Sequence, residues 1–184
     1  MFGKKKEKEL PGDAFIKRLV KPHKKVSREV KEKDIPRLMS EAHIAYNLCH
    51  IFLGMYILEG NNSHFAVAHP QIDDKDPLRF WVTKDKKIVI NPFITRHTKT
   101  TVDGREGCLS SPFSPPTAVQ RWHKCEVKYQ TLTSDGKLSD VIEMSLSGID
   151  AKVFQHEFDH LESKYIYPID TEIKKENDIN YVKT

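Results

Sequence analysis

From Leu38 to Met55, apolar residues recur at every third or fourth position, a spacing that is typical of one amphipathic helix. The preceding Asp34-Ile35-Pro36 is a suitable helix start, because proline fits the first helical turn. We therefore predict a helix that begins in this segment and continues to about Tyr56. The polar turn 59–63 is expected to end it.

A different pattern follows, in which short β-branched or aromatic runs are bounded by proline, aspartate or glycine. These runs predict strands at Phe65 to Ala68, Arg79 to Thr83, Lys87 to Ile90 and Cys125 to Tyr129. The sequence Ser134-Asp135-Gly136-Lys137 predicts a hairpin turn that leads to another strand at 141–144.

Near the C-terminal end, Ile149, Val153, Phe158 and Leu161 predict a helix that is apolar beyond a simple surface stripe. Such a helix is expected to be central and partly buried. A helix, then strands, then a helix predict an α+β domain, with mixed or antiparallel strands packed around the second helix.

The length of 184 residues and the hydrophobic content of 38% suit a single domain, residues 1–184, with a core of ordinary size. Residues 11–34 contain prolines and many charges with little periodicity, so we interpret 1–34 as an extended basic arm. The segment 171–184 has few apolar residues and is expected to be a polar tail, either frayed or disordered.

The chain has 30 basic and 26 acidic residues, a mild excess that lies near the N-terminus. Such a run usually forms a solvated face, although it can also attract RNA. No segment approaches the roughly 18 apolar residues of a membrane span, and no secretory signal follows Met1. Three cysteines without framework spacing fit a reducing compartment. We expect a cytoplasmic protein that binds neither membrane nor DNA; an organelle of bacterial origin stays open.

The candidate chemistry lies in Gln155-His156-Glu157-Phe158-Asp159-His160-Leu161. Residues four apart on a helix share one face, so His156 and His160 can direct two imidazoles at one metal ion. Glu157 lies at the same edge, where a carboxylate can accept a proton from water. The same pattern also arises on solvated helices, but the apolar neighbours favour a buried one, in which imidazoles need partners.

Two histidines need at least one further ligand. The zincin pattern with an added glycine and a third histidine is excluded, because Ser163 and Ile166 stand at those positions. A downstream Glu172 or Glu176 would make a small metallopeptidase and stays open, although little chain remains. Upstream, Cys108 follows a glycine, and one thiolate with two imidazoles makes an open catalytic site.

The segment Glu106-Gly107-Cys108-Leu109-Ser110, together with 155–161, resembles two motifs of peptide deformylases. The resemblance extends to Asn91-Pro92, to Arg121 and to Leu146-Ser147-Gly148, and it covers about residues 60 to 170. It implies a divalent metal held by Cys108, His156 and His160, with Glu157 as the proton shuttle. It also implies that the Gln71 side chain and the Leu109 amide stabilise an oxyanion.

The family's first motif, Gly-x-Gly-x-Ala-Ala-x-Gln, matches residues 64–71 only in part. Gln71 and one alanine are kept, whereas His64, Ala66 and His69 replace the two glycines and the other alanine. In the family these glycines let the substrate backbone pair closely with the enzyme, so we expect an altered pocket wall. The substrate-binding residues implied by the resemblance are Phe65, Ala66, Glu106, Gly107 and Arg121.

The resemblance implies a hydrolase that removes the N-formyl group from N-formylmethionine of newly made polypeptides and releases formate. Its implied metal is Fe²⁺, for which Ni²⁺, Co²⁺ or Zn²⁺ can substitute, since this donor set suits several first-row metals. The resemblance implies formylmethionyl nascent chains as partners. The basic surface predicts the ribosome as a further partner. The alternative is a deformylase-like protein with altered or lost activity that binds a peptide or the ribosome.

Overall fold

The computed structural model describes residues 23–57, 65–110 and 115–166. Two α-helices and seven strands form an α+β fold, as predicted, with short 3-10 turns at Glu32–Asp34 and His69–Gln71. In chain order the elements are α1 (Ile35–Ile57), β1 (Ala66–Ala68), β2 (Phe80–Thr83), β3 (Ile88–His97), β4 (Thr101–Glu106), β5 (Thr117–Trp122), β6 (Lys124–Gln130), β7 (Ile142–Ser147) and α2 (Gly148–Leu161).

Five strands form an antiparallel sheet in the order β1-β2-β3-β6-β7, and β4 and β5 form a separate two-stranded ribbon. β3 was predicted to end at Ile90, but it continues to His97. The register with β6 shifts between Ile90 and Phe93, at Asn91-Pro92, where Asn91 has a φ of 51°. A bulge of this kind admits proline without ending the strand.

Alternation along the strands divides the interior into two cores, one on each face of the sheet. Phe80 and Val82 of β2 pack in the core that α1 covers, whereas Trp81 lies between them in sequence and faces α2. The Trp81 and Phe154 rings meet edge to face with centroids 4.9 Å apart. The sheet therefore holds α2 firmly from one side, and α2 carries the candidate metal ligands.

The N-terminal segment corrects the prediction of an extended arm over 1–34. Residues 23–34 pack on the domain: Arg28 forms a β-bridge with Leu78, and His23, Ser27 and Val30 are buried. The amide of Asn91 bonds both backbone groups of Val30 and fixes this segment to the start of the bulge. Residues 1–22, the predicted turn 59–63 and the predicted tail 171–184 lie outside the described residues.

The ribbon of β4 and β5 was not predicted. At Gly104, in β4, a Cβ atom would meet the end of the Lys152 side chain, so glycine leaves room there for this lysine of α2. Lys152 Nζ donates to the Arg105 carbonyl at 3.2 Å. This bond links β4 to α2 just before the Cys108 segment.

The start of α1 offers a test of electrostatic stabilisation remote from the metal site. Arg28 donates to both carboxylate oxygens of Asp34 at 2.9 Å, and these bonds lower the pKa of Asp34 from 3.8 to about 2. We expect Asp34→Asn to lower the free energy of unfolding at pH 7 by about 1 kcal/mol, a modest value because the Arg28 side chain is 40% exposed.

The contribution of Asp34 is fully present above pH 3.8 and is lost as the pH falls through about 2. Urea unfolding at several pH values should therefore show the wild type and Asp34→Asn converging in acid. Asp85→Asn, at an exposed carboxylate, is the control and should change the unfolding free energy by less than about 0.5 kcal/mol. A difference that stays constant with pH would contradict the charge argument.

None of the helices in the described part of the chain has the length and apolar content that crossing a membrane requires.

Candidate metal centre

The structure brings the three sequence-predicted metal ligands together. One ligand atom from each of Cys108, His156 and His160 lies within 4.8 Å of the others. Sγ of Cys108 is 3.2 Å from Nε2 of His160, and both residues are buried. A soft thiolate and two imidazoles at these separations suit a first-row transition metal.

Two local features place these ligands. Cys108 comes two residues after β4 ends, and the glycine between them, Gly107, has open space where a Cβ atom would lie. Gly148, at the start of α2, has a φ of 59°, a conformation that glycine adopts readily and that lets α2 follow β7 directly. Gln155 then fixes α2 to β5, since its side chain exchanges hydrogen bonds of 2.8 and 3.0 Å with the backbone of Trp122.

A buried ion-pair network of Glu106, Arg121 and Asp159 fixes the orientation of the His156 ring. Nδ1 of His156 is 2.9 Å from Oε2 of Glu106. Arg121 donates to both oxygens of Glu106, at 3.0 and 2.9 Å, and to the carboxylate of Asp159. This leaves Nε2 of His156 for a metal, because a ligating histidine usually bonds a carboxylate or carbonyl through its other nitrogen.

The network differs from the expectation that Glu106 and Arg121 bind substrate. Both side chains are almost completely buried and are engaged with His156 and Asp159. They therefore fit a supporting role for the centre better than a place in the pocket wall. Sequence reasoning did not single out Asp159 or Gln155 as supporting residues, although both lie within the histidine motif; their partners come from the unpredicted ribbon.

The electrostatics of the centre favour a positive charge. Burial opposes the charged form of Glu106, but hydrogen bonds from His156 and Arg121 outweigh it and lower the pKa of Glu106 to about 2. Burial also opposes a charged His156, yet its hydrogen bonds to Cys108 and Glu106 raise its pKa well above the ordinary value. For His160, burial and then the neighbouring His156 charge lower the pKa. A proton on His156 is therefore stabilised between Cys108 and Glu106, and a metal ion that binds His156 would displace it.

Glu157 is buried at the same centre, and its Oε2 has no hydrogen-bond partner within the described residues. Burial raises the pKa of Glu157 to about 7, against the lowering effect of His156. A buried polar atom without a partner is costly. A water molecule or a substrate group at the centre would satisfy it.

Gln71 and Leu109 provide candidate hydrogen-bond donors. The Gln71 side chain accepts from the Ala68 amide at 2.8 Å and donates to Oγ of Ser110 at 3.0 Å. The second N–H of its amide group, like the backbone N–H of Leu109, has no hydrogen-bond partner in the described segments. The bonds through Ala68 and Ser110 therefore fix the Gln71 amide next to the Cys108 segment.

The side chain of His69 does not lie in the expected pocket wall. The 3-10 turn His69–Gln71 directs the imidazole into the core, where Nδ1 accepts from the Leu78 amide at 2.8 Å. Nε2 is 2.6 Å from the carboxylate of Glu41 on α1. Among the expected wall residues, Ala66 is buried against α2 and Phe65 packs at the edge of the α1 core. His64 lies outside the described residues.

The residues present fit a divalent metal. The donor set is correct, and one histidine has its carboxylate support. The other two cysteines, Cys49 in α1 and Cys125 in β6, are buried and are not part of this group.

Comparison with known proteins gives a consistent result. A sequence model of the polypeptide deformylase family matches residues 17–176. A peptide deformylase from Thermus thermophilus is 38% identical over 93 residues, which are 50% of this chain and 45% of that relative. The chain thus matches about half the length of that relative. A peptide deformylase from Thermotoga maritima is 31% identical over 153 residues, which are 82% of this chain and 77% of the relative.

The fold gives the same result. The crystal structure of peptide deformylase from Thermotoga maritima superposes with a TM-score of 0.61 at 28% identity, and the match covers 85% of this chain and 91% of that one.

Proposed function

The chain belongs to the polypeptide deformylase family, and we propose that it hydrolyses the N-formyl group of N-formylmethionyl peptides to give formate and a free N-terminus. The observation that carries the proposal is the convergence of Cys108, His156 and His160 within 4.8 Å, beside a buried Glu157 oxygen without a partner. A protein that only binds peptides has no need of such a carboxylate.

Cys108, His156 and His160 would hold the metal. When bound, the metal would act as a Lewis acid that polarises a carbonyl, and it would make water nucleophilic near neutral pH. Glu157 Oε2 accepts a proton from the attacking water and later gives it to the departing amine nitrogen. Water adds to the formyl carbon and the C–N bond breaks. Glu106 and Arg121 hold the His156 ring in place throughout.

The negative charge that develops on the formyl oxygen during the reaction is stabilised by hydrogen-bond donors. The free N–H of the Gln71 side chain and the backbone N–H of Leu109 are the candidates, because both are fixed before the substrate arrives. β1 is the edge strand of the sheet and lies next to α2. A substrate in extended conformation could add to this edge near Phe65 and Ala66.

We expect Gln71→Ala to lower kcat about 100-fold, because one preorganised oxyanion donor is lost. The metal content should not change, since Gln71 is not among the three ligand residues. Steady-state formate release and metal analysis of the purified variant check both statements. Gln130→Ala removes a glutamine that bonds Asn91 and Ser139 away from the centre and is the control. An unchanged kcat for Gln71→Ala would remove this residue from the mechanism.

We also propose the native metal, a ribosomal partner and a cellular location. The family resemblance supports Fe²⁺ as the native metal, and the donor set also accepts Ni²⁺, Co²⁺ or Zn²⁺. The basic excess near the N-terminus and the nascent-chain substrate support a ribosomal partner and a cytoplasmic site. The metallopeptidase alternative would need Glu172 or Glu176, which lie outside the described residues.

The test is formate release from formyl-Met-Ala-Ser by protein purified without oxygen and loaded with nickel. Stoichiometric metal with multiple turnovers would support the reaction. Stoichiometric metal without formate release would overturn it, and peptide binding in the absence of hydrolysis would then favour the alternative of a deformylase-like binding protein.

A further inference from the structure

A third histidine ring lies beside the metal centre, and none of the roles above uses it. His23 is 3% exposed, and its ring centroid is 5.8 Å from that of His160 and 5.0 Å from that of Tyr165. Within the described residues, neither ring nitrogen of His23 has a hydrogen-bond partner, and neither has Nδ1 of His160. Three buried nitrogens on two adjacent rings are thus unsatisfied.

The position of His23 is fixed through its backbone. Its N–H donates to the Tyr165 hydroxyl, and its carbonyl accepts from the Ser163 hydroxyl just after α2. Four residues on, the Ser27 amide donates to the Leu161 carbonyl at 2.8 Å. These bonds fasten the N-terminal segment across the end of α2, so the His23 ring is held against His160 although the ring itself makes no bond.

Buried polar nitrogens without partners cost free energy, and proteins commonly satisfy them with each other or with an ordered water. Two other rings contact His160, but each is already engaged. His156 bonds Glu106 through Nδ1, and the Tyr165 hydroxyl receives the His23 amide. Among the rings that contact His160 within the described residues, His23 is the one whose two ring nitrogens make no hydrogen bond.

We propose that His23 is a positioning residue for the metal centre: one of its ring nitrogens accepts the Nδ1–H of His160, directly or through one buried water. A ligating histidine donates its other N–H to a neighbouring acceptor, which fixes its tautomer and its orientation. Glu106 serves His156 in this way. His23 serves His160 and leaves Nε2 of His160, 3.2 Å from the Cys108 thiol, for the metal.

The inference rests on the proposed metal site, and it also explains an asymmetry. His156 is supported by a carboxylate that belongs to an ion-pair network, whereas His160 is supported by a neutral ring. A neutral imidazole offers one nitrogen as an acceptor. The two histidine ligands are therefore supported by one carboxylate and one ring.

The test measures the affinity of the apoprotein for Co²⁺ by competition with a chromogenic chelator. We expect His23→Phe, which keeps the shape of the ring and removes both nitrogens, to weaken binding at least about tenfold. His23→Asn and His23→Gln place a carboxamide oxygen near the positions of Nδ1 and Nε2. One of these two variants should restore the affinity to within about threefold of wild type, as expected for a replacement acceptor.

A purely structural role would make His23→Phe lose stability together with Co²⁺ affinity. Because neither ring nitrogen of His23 has a hydrogen-bond partner within the described residues, we expect this variant to unfold in urea at the same midpoint as wild type or at a higher one. Leu38→Ala, in the α1 core, is the matched control: it should lower the midpoint and leave the Co²⁺ affinity unchanged.

A second measurement observes the proton on His160 directly. Nitrogen-15 correlation spectra of the histidine rings in the Zn²⁺-loaded form should show His160 protonated at Nδ1, with slow exchange that His23→Phe abolishes. The proposal is overturned if His23→Phe binds Co²⁺ like wild type, or if that proton exchanges freely in wild type. If wild type and Cys108→Ala both bind no Co²⁺, the metal site itself fails, which is a distinct outcome.

Discussion

Replacing Glu157 with glutamine is expected to lower kcat for formate release on the order of 1,000-fold while the protein keeps its metal. Glutamine has the shape of glutamate but cannot accept a proton from water or return it to the leaving amine. The three ligand residues are untouched, and Glu157 is not one of them. The assay is formate release at saturating peptide, accompanied by metal analysis of the same sample.

Two further measurements make this expectation specific. Glu143→Gln, at an exposed position of β7, is the matched control and should leave kcat within about twofold of wild type. The stability of the apoprotein should not fall in Glu157→Gln, because the substitution removes a buried carboxylate that has an oxygen without a partner. Activity that survives in Glu157→Gln at full metal content would exclude Glu157 as the proton shuttle.

The histidine pair could be predicted from sequence because its information is local: His156 and His160 share a helix face whatever the rest of the fold does. Cys108 could be assigned only through the glycine before it and the family resemblance, since the preceding strand β4 was not predicted. The helix α1 and the strands that pack on it were also predicted from local information, since periods of 3.6 and 2 survive in the sequence when one face is buried.

The supporting residues could not be predicted in this way. The contacts of Glu106 with His156 and Arg121 join residues 50 and 15 positions apart, and they depend on β4 and β5. Both strands of this ribbon are largely exposed, so they lack the buried alternation that identifies a strand.

His69 shows a second limit of pattern reasoning. The motif places this residue two positions before Gln71 but does not say which way its side chain points. The 3-10 turn rotates the imidazole into the core, where Glu41 and the Leu78 amide satisfy both nitrogens. A residue that departs from the family pattern at a motif position therefore adds a core contact and leaves the pocket wall to its neighbours.

Replacing Cys108 with alanine is expected to remove both metal and activity, and it separates the two enzymatic readings of the histidine motif. Because one of the three ligands is lost, affinity for Co²⁺ should fall more than about 100-fold. This loss exceeds the one expected when a residue that only supports a ligand is replaced. The thiolate-to-cobalt absorption in the near ultraviolet should disappear. Cys49→Ala and Cys125→Ala are matched controls, because both thiols are buried and lie outside the ligand group. A Cys108→Ala protein that still binds one Co²⁺ at wild-type affinity would point to a downstream glutamate as third ligand, and hence to a metallopeptidase.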